Sequence, residues 1–346
     1  MAERFLVIGA YGCIGAWTVR QLVREGVEVV GVDAGDEDHR VRELLDADEF
    51  AAARFIKADV SDPAQVSELF VVDPTHVIHL AALQVPGCRE NPVLGAQVNV
   101  VGTAALFAAA LAHGLSTPIV YPSSVAAFAA ADGEGHAPTD PSGLPETHYG
   151  VFKIANEGTA RVFGLESSLA SIGLRPSVVY GACRDTGLTS AATAAMRAAA
   201  DGSEYTIPFG GSCEFQFAPD AAAAFIAAAR TPFTGAAVVN IPGTTLAVED
   251  VVAEIECVVP ESTGRIGFEG PPLPFPSALD ASPFRSTVGT ARVTPFRQGV
   301  AETVRRCRRS VNRTTRDGRH PQSLVARGGR DTTATSDSSK GPPWPL

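Results

Sequence analysis

The chain has 346 residues, 45% of them hydrophobic, and a formal net charge of −10, so it is long enough to bury a large core. Its six cysteines are scattered without a CxxC pair, which argues against a disulfide framework and against a bound metal. We expect a cytoplasmic protein without a membrane span, because no apolar run approaches the roughly 20 uncharged residues that a span needs.

The predicted elements alternate between strand and helix along the first half of the chain. Segments rich in β-branched residues predict strands at 4–9, 27–33, 53–60, 75–82, 117–124 and 174–181. Two longer segments, 95–114 and 150–166, have helical character. This alternation predicts an α/β fold with a doubly wound parallel sheet, which binds ligands at the carboxyl ends of its strands.

The pattern loosens after residue 182. Helices are predicted around 188–201, 219–230 and 246–258, and a strand near 236–241. We therefore assign 1–182 to the sheet domain and 183–309 mainly to a smaller substrate-binding cap, whose late elements return to the sheet.

The end of the chain differs in charge from the rest. Residues 305–346 hold ten Lys/Arg and three Asp/Glu, so residues 1–304 carry a net charge of −17 and offer no general attraction for nucleic acid. Residues 310–346 lack apolar periodicity, and we predict a disordered basic tail there.

The first chemical motif is GAYGCIG, which follows the first strand and opens a helix. Gly9, Gly12 and Gly15 allow the backbone to approach a pyrophosphate, and the helix start offers amides at Cys13 and Ile14. This is a dinucleotide-binding pattern of the Rossmann type.

The second strand ends in an acidic residue, as a dinucleotide site requires. A carboxylate at Asp33 accepts hydrogen bonds from the adenosine ribose and repels a 2′-phosphate, which favours NAD over NADP. Other residues at strand ends or on a facing helix are expected to line the cofactor: Asp59, Val60, Leu80, Ala81, Ala82 and Asn99.

Tyr149 and Lys153 stand four residues apart, so a helix places both on one face. Such a pair is often only a surface contact. Here it follows a dinucleotide motif, and a lysine cation would favour the phenolate of a tyrosine, so an acid/base role stands beside packing as an interpretation.

These motifs together resemble the extended short-chain dehydrogenase/reductases, the NAD-dependent epimerase/dehydratase family. The similarity covers roughly residues 3–305. The residues that carry it are GxxGxxG, Asp33, DV at 59–60, HLAA at 79–82, NVVGT at 99–103, YPSS at 121–124, YGVFK with Glu157, and LRPSVVYG at 174–181.

The resemblance implies a proton-relay triad of Ser124, Tyr149 and Lys153. Tyr149 would act as general base or acid, Lys153 would also hold the nicotinamide ribose, and Ser124 would hydrogen-bond the reacting oxygen. It also implies a homodimer built from the helices at 95–113 and 150–166.

The net reaction is harder to infer than the hydride step. Dehydratases of the family carry an Asp-Glu pair directly after the triad serine or threonine, whereas Val125 and Ala126 stand here, so we predict that the protein is not a dehydratase. We expect an NAD-dependent dehydrogenase or reductase of carbohydrate metabolism; the alternatives are an epimerase that uses bound NAD and, further off, a non-catalytic NAD sensor.

One departure from the family bears on the substrate. Cys213, in CEFQFAPDAA, stands where nucleotide-sugar members have an arginine for the diphosphate, which favours a smaller sugar, sugar acid or polyol. Residues expected to contact the substrate lie after strands or in the cap: Gln84, Ser123, Phe128, Arg184 and Gln216.

Overall fold

The computed structural model describes residues 2–128, 136–137 and 145–316. Residues up to Ser310 belong to one compact unit and those from Val311 to a second, of which the helical backbone through Arg316 is described.

Strands and helices alternate through the described residues. The strands are β1 (Arg4–Ile8), β2 (Glu28–Asp33), β3 (Arg54–Lys57), β4 (His76–His79), β5 (Ile119–Pro122), β6 (His136–Ala137), β7 (Ser171–Arg175), β8 (Val178–Tyr180), β9 (Tyr205–Ile207), β10 (Ser212–Phe217), β11 (Ala236–Asn240), β12 (Thr244–Ala247), β13 (Ile266–Phe268) and β14 (Ala278–Leu279). The helices are α1 (Cys13–Arg24), α2 (His39–Leu44), α3 (Ala47–Ala51), α4 (Pro63–Glu68), α5 (Val85–Glu90), α6 (Pro92–Ala96), α7 (Gly102–His113), α8 (His148–Ser167), α9 (Ala191–Asp201), α10 (Ala218–Arg230), α11 (Val248–Val258), α12 (Ser282–Thr287) and α13 (Phe296–Arg316).

A seven-stranded sheet in the order β11-β7-β5-β4-β1-β2-β3 forms the centre of the fold. Each of its strand pairs is parallel. Alternate residues of β1 supply two cores: Phe5 and Val7 pack with α1 and α10, while Leu6 and Ile8 pack with α4, α7 and α8. The doubly wound α/β fold is thereby confirmed, and the chain order reverses between β1 and β4, where such sheets bind ligands.

A smaller sheet in the order β12-β10-β8 has its own hydrophobic cluster with α9 and α11. The predicted strand at 174–181 was wrong as a single element, because it is divided between β7 of the large sheet and β8 of the small one. Pro176 lies at the break and has no amide hydrogen to donate to a strand ladder.

One helical segment corrects the statement that no run is apolar enough for a membrane. Pro92–His113 passes that test by length and composition, although 39% of its most apolar window is buried inside the protein. Since the core helix of a soluble protein passes the same test, this is weak evidence for a span. The segment contains a π-helical turn, Gln97–Val101, between α6 and α7.

The segment for which we predict disorder begins inside a helix. Helix α13 runs through Arg316, beyond the expected boundary at 310. The remainder of that segment, from 317 onward, lies outside the described residues.

Candidate active site

The turn between β1 and α1 is shaped for glycine. Gly9 has a φ of 85°, and a Cβ there would lie 2.5 Å from the Ala81 nitrogen. A Cβ at Gly15 would overlap the Gly9 carbonyl oxygen, and Gly12 caps α1 without a side chain. The first amides of α1, which have no partner within the helix, are thus open to close approach by a pyrophosphate.

Asp33 lies beside this turn at the end of β2. Its carboxylate accepts hydrogen bonds from the amides of Tyr11, at 2.9 Å, and Gly35, at 3.3 Å. At the end of β3, the Asp59 carboxylate accepts one from Ser61 at 2.8 Å, and the adjacent Val60 is buried. The polar ends of β2 and β3 therefore meet the glycine turn at one edge of the sheet.

The segment after β4 is held by Asn99. The Asn99 amide accepts a hydrogen bond from the Leu83 nitrogen at 2.8 Å and donates one to the Leu83 oxygen at 2.9 Å. Asn99 lies in the π-helical turn, a feature often found at functional sites. Leu80 and Ala81 lie against Gly9, so the end of β4 meets the glycine turn.

Ser124 and Tyr149 are brought together by close packing of two turns. Ser124 caps a short 3₁₀ helix, Val125–Ala127, while Thr147 caps α8. A Cβ at Gly150 would overlap the Ala126 carbonyl oxygen, so glycine permits this approach. Burial raises the pKa of the Tyr149 hydroxyl to about 12, and its hydrogen bond with Ser124 opposes that rise.

Lys153 is buried one turn after Tyr149. Its Nζ donates a 2.8 Å hydrogen bond to the Pro122 carbonyl oxygen and lies 5.2 Å from the centre of the Tyr149 ring. Burial lowers the pKa of Lys153 to about 8, an effect that the nearby Cys88 and Glu157 oppose. The amine therefore remains largely protonated at neutral pH, close to the phenol.

Arg40 connects three segments around the cleft, which no sequence pattern indicated. From α2 it donates to the Tyr11 carbonyl oxygen of the glycine turn at 3.0 Å. It also pairs with the Asp185 carboxylate, at 2.8 Å, in the segment that follows β8. Because 145 residues separate Arg40 from Asp185, only the fold shows that they meet.

Comparison with known proteins agrees with this geometry. The model of the family described as "NAD dependent epimerase/dehydratase family" matches residues 5–241. The chain belongs to this family. The resemblance expected from the motifs is thereby confirmed, and NAD is the cofactor.

Individual relatives of this epimerase/dehydratase-family protein are distant. It is 28% identical over 313 residues to UDP-glucose 4-epimerase of Mycolicibacterium smegmatis, covering 87% of this chain and 97% of the relative. The structure of MoeE5 with UDP-glucose and NAD has a TM-score of 0.71 at 26% identity, covering 90% of this chain and all of MoeE5. The NAD complex of Thermus thermophilus UDP-glucose 4-epimerase has a TM-score of 0.75 at 24% identity, covering 88% of this chain and 99% of that one, and this shows the shared fold.

Ser123 does not lie where a substrate contact would have to be. It is 1% exposed, and its hydroxyl donates to the Glu157 carboxylate. Glu157 also receives two hydrogen bonds from Arg175, at 2.8 and 2.7 Å. The predicted contact at Ser123 is therefore corrected: its side chain points into a buried polar network behind the cleft, where it supports the strand end that carries Ser124.

Gln216 and Phe128 are likewise held inside the protein. The Gln216 amide donates to the Ile241 oxygen at 2.6 Å and accepts from the Ser177 nitrogen at 2.8 Å, so it joins strands in place of a ligand. Phe128 is 4% exposed and lies 4.8 Å beneath the Arg175 guanidinium. The prediction that these two contact substrate is corrected, because both are already fully engaged in packing.

Gln84 and Arg184 are brought together at the edge of the cleft. Arg184 lies 3.5 Å from the Gln84 side-chain oxygen and donates to the Thr189 hydroxyl at 2.8 Å. Of the five residues expected to contact substrate, Gln84 and Arg184 lie next to each other, and their side chains still have donors and acceptors for a ligand.

Cys213 lies on β10, opposite Leu246 of β12. It is 4% exposed within the hydrophobic cluster of the small sheet, and burial raises the pKa of its thiol to about 11. The position therefore carries no charge with which to bind a diphosphate.

Proposed function

We propose that the protein transfers a hydride reversibly between NAD and a carbinol carbon of a sugar or sugar acid, with epimerisation as the net result. The observation that carries this proposal is the grouping of Ser124, Tyr149 and Lys153 at the carboxyl edge of the sheet, beside the glycine turn. NAD, when bound, supplies the hydride acceptor and donor for this chemistry.

Tyr149 is the proton-transfer group in this proposal. It takes the carbinol proton as hydride leaves the carbon, and it returns the proton in the reverse step. The Lys153 cation, 5.2 Å from the ring, stabilises the phenolate, and Ser124 orients the reacting oxygen. Glycines 9, 12 and 15 and Asp33 hold the cofactor, with the carboxylate selecting the unphosphorylated ribose.

Epimerisation is the preferred outcome because it requires NAD to stay bound until the hydride returns. Arg40 ties the glycine turn to the segment after β8 and would slow cofactor release. The relative that aligns over 97% of its length is also a 4-epimerase.

Net dehydrogenation is the second candidate. The uncharged Cys213 argues against a diphosphate-linked substrate, and so against the reaction of the named relatives.

Water elimination does not fit the proposal. Dehydratases are among the solved structures of similar fold. In this chain, however, the two residues after Ser124 are Val125 and Ala126, both 4% exposed and both without an ionisable group. No acid and base for elimination stand at these positions.

We further propose a cytoplasmic homodimer that buries one face of α6, α7 and α8. Large apolar side chains are exposed on these helices and on the π-helical turn between α6 and α7: Val93 (70%), Leu94 (39%), Val101 (45%), Leu111 (38%), Val151 (49%), Val162 (42%) and Leu165 (71%). Exposed apolar surface of this kind marks an interaction surface in a soluble protein. In the same proposal, the substrate-binding cap lies mainly within residues 183–309 and includes β10 and β12 of the small sheet with α9 and α11.

The proposed function is tested with the purified protein and four substrates: UDP-glucose, UDP-glucuronate, glucose and glucuronate. Proton NMR should show the C4 epimer of at least one of them, without net NADH absorbance. Accumulation of NADH in step with substrate loss would instead establish the dehydrogenase. Binding of NAD without turnover of any substrate would favour a sensor.

Replacement of Tyr149 by Phe should lower kcat about 100- to 10,000-fold, because the proton-transfer group is lost. Cofactor affinity, measured by calorimetry, should stay unchanged. Tyr205→Phe, a change in the half-exposed β9 outside the cleft, is the matched control and should keep full activity. Loss of NAD binding in Tyr149→Phe would show that the tyrosine has a structural role.

A further inference from the structure

In the part of the chain that the structure describes, Arg184 has no carboxylate partner, and it lies beside Gln84. Its hydrogen-bond partners are both neutral: the Thr189 hydroxyl at 2.8 Å and, at 3.5 Å, the Gln84 amide oxygen. Its Nε is buried and has no hydrogen-bond partner. Among the residues that the structure describes, no carboxylate lies within ion-pair distance of this guanidinium.

Two other arginines near the site are neutralised. Arg175 is paired with Glu157 and Arg40 with Asp185. Asp185 directly follows Arg184 in sequence, yet its carboxylate is occupied by Arg40 and by His39, at 3.3 Å. Keeping a partly buried cation unpaired costs free energy, so an anionic ligand would remove a penalty at Arg184.

Arg184 lies close to the reacting groups. Burial raises the pKa of Tyr149 and that of Cys13, at the start of α1, and the positive charge of Arg184 opposes the rise at both. The charge of Arg184 is therefore near enough to act on both groups. Geometry also places this turn beside α1, because the Ala182 carbonyl oxygen, two residues before Arg184, accepts a hydrogen bond from the Trp17 indole at 3.0 Å.

The turn that carries Arg184 is shaped to keep it there. Gly187 has a φ of 84°, which L side chains rarely adopt, and a Cβ at this position would lie 2.5 Å from the Gln84 side-chain oxygen. The turn thus folds directly onto Gln84. A guanidinium has five N–H donors, and the two contacts of Arg184 leave the others for a ligand.

We propose that Arg184 binds the carboxylate of a uronic acid substrate, and that it makes the acid preferred over the corresponding neutral sugar. This inference rests on the proposed function, since it concerns the substrate of the same site. In a pyranose oxidised at C4, the carboxylate is attached to the neighbouring C5 and stays close to Tyr149. The planar guanidinium matches the two carboxylate oxygens. The pyrophosphate of NAD is the other anion within the cleft, so the experiment separates the two.

The test compares wild type with Arg184→Ala in the full-length, NAD-loaded protein. The probes are two matched pairs, UDP-glucuronate with UDP-glucose and glucuronate with glucose. Wild type should show at least about tenfold higher kcat/KM for the acid of the active pair. In the variant, kcat/KM for the acid should fall about 10- to 100-fold, while kcat/KM for the neutral sugar should change less than about threefold. Arg297→Ala is the matched control, because Arg297 is exposed and paired with Glu254.

Binding is measured separately from turnover. In a Tyr149→Phe background, calorimetry should show that Arg184→Ala lowers the affinity for the acid about 10- to 100-fold and leaves the affinity for NAD unchanged. The proposal would be overturned if Arg184→Ala lost activity or affinity equally for the acid and the neutral sugar. It would also be overturned if wild type preferred the neutral sugar, or if the variant bound NAD more weakly. Arg184-dependent binding of the acid without any turnover would refute the proposed reaction alone.

Discussion

Glu157, on the same helix α8 as Tyr149 and Lys153, and Glu214, in the small sheet, are largely buried carboxyl groups with opposite surroundings. Glu157 receives two hydrogen bonds from the buried Arg175 guanidinium. Glu214, 4% exposed, accepts hydrogen bonds from neutral groups: the Leu279 amide at 2.8 Å, the Gln216 side chain at 3.5 Å and the Gly243 backbone. The carboxylate on α8 is compensated by a buried cation, whereas the carboxyl group on β10 has no cation beside it among the described residues and is sensitive to pH.

The largest effect is expected where the compensated pair is broken. Glu157→Gln removes the carboxylate that pairs with the buried Arg175 guanidinium, which should lower the free energy of unfolding by about 3–5 kcal/mol. Urea unfolding measures the loss. Glu254→Gln, which breaks the exposed pair with Arg297, is the control and should cost less than about 1 kcal/mol. If both variants lost the same amount, burial of Glu157 would not be the cause.

A smaller effect is expected from Glu214→Gln, and it should depend on pH. Burial raises the pKa of Glu214 to about 7, with the hydrogen bonds from Leu279 and Gln216 opposing. Below its unfolded pKa of about 4.5, this carboxyl is protonated in both states, and its contribution to stability is fully present. The contribution is lost as the pH rises through 7, because the unfolded state ionises first. The free energy of unfolding of wild type should therefore fall by up to about 3 kcal/mol between pH 4.5 and pH 7 because of Glu214.

The glutamine variant should not show this part of the pH dependence, since its amide oxygen still accepts from Leu279 without ionising. Thermal unfolding of both proteins at pH 5 and pH 8 measures the difference. The same pH dependence in wild type and variant would show that another group is responsible.

The partly buried pair of Arg40 and Asp185 should show the smallest change in stability. With side-chain exposures of 16% and 22%, its loss in Arg40→Ala should cost about 1–2 kcal/mol. Release of NAD, followed by fluorescence after dilution, should nevertheless become several-fold faster, because the glycine turn loses its link to the segment after β8. Unchanged release would remove the main structural support for epimerisation over dehydrogenation.

Local motifs made much of the site predictable. The glycine turn, Asp33 and the spacing from Tyr149 to Lys153 each depend on residues close together in sequence; in the fold, Asp33 bonds to the glycine turn and Lys153 lies beside the Tyr149 ring. The doubly wound sheet followed from the alternation of strands and helices. Even the division at Pro176 had a signal, since proline interrupts a strand ladder.

Contacts between distant segments were not predictable in the same way. Ser123 and Gln216 were predicted to contact substrate because they are polar and lie near strand ends. Side chains along a strand alternate between its two faces, however, and sequence did not show which face is buried. The partners that hold these two side chains inside the protein, Glu157 and Ser177, are 34 and 39 residues away. The apolar segment Pro92–His113 was misjudged because its many alanines and glycines read as ordinary helix composition.

The anchor of Lys153 has a consequence for how the sequence can vary. Its ammonium is fixed by the carbonyl oxygen of Pro122, a group that every amino acid provides. No exchange of a side chain at that position deletes the acceptor, so mutational drift in β5 is tolerated as long as the backbone path is kept. We expect substitutions at Pro122 to be among the best tolerated near the cleft, whereas insertion of one residue in β5 would displace the anchor and inactivate the protein.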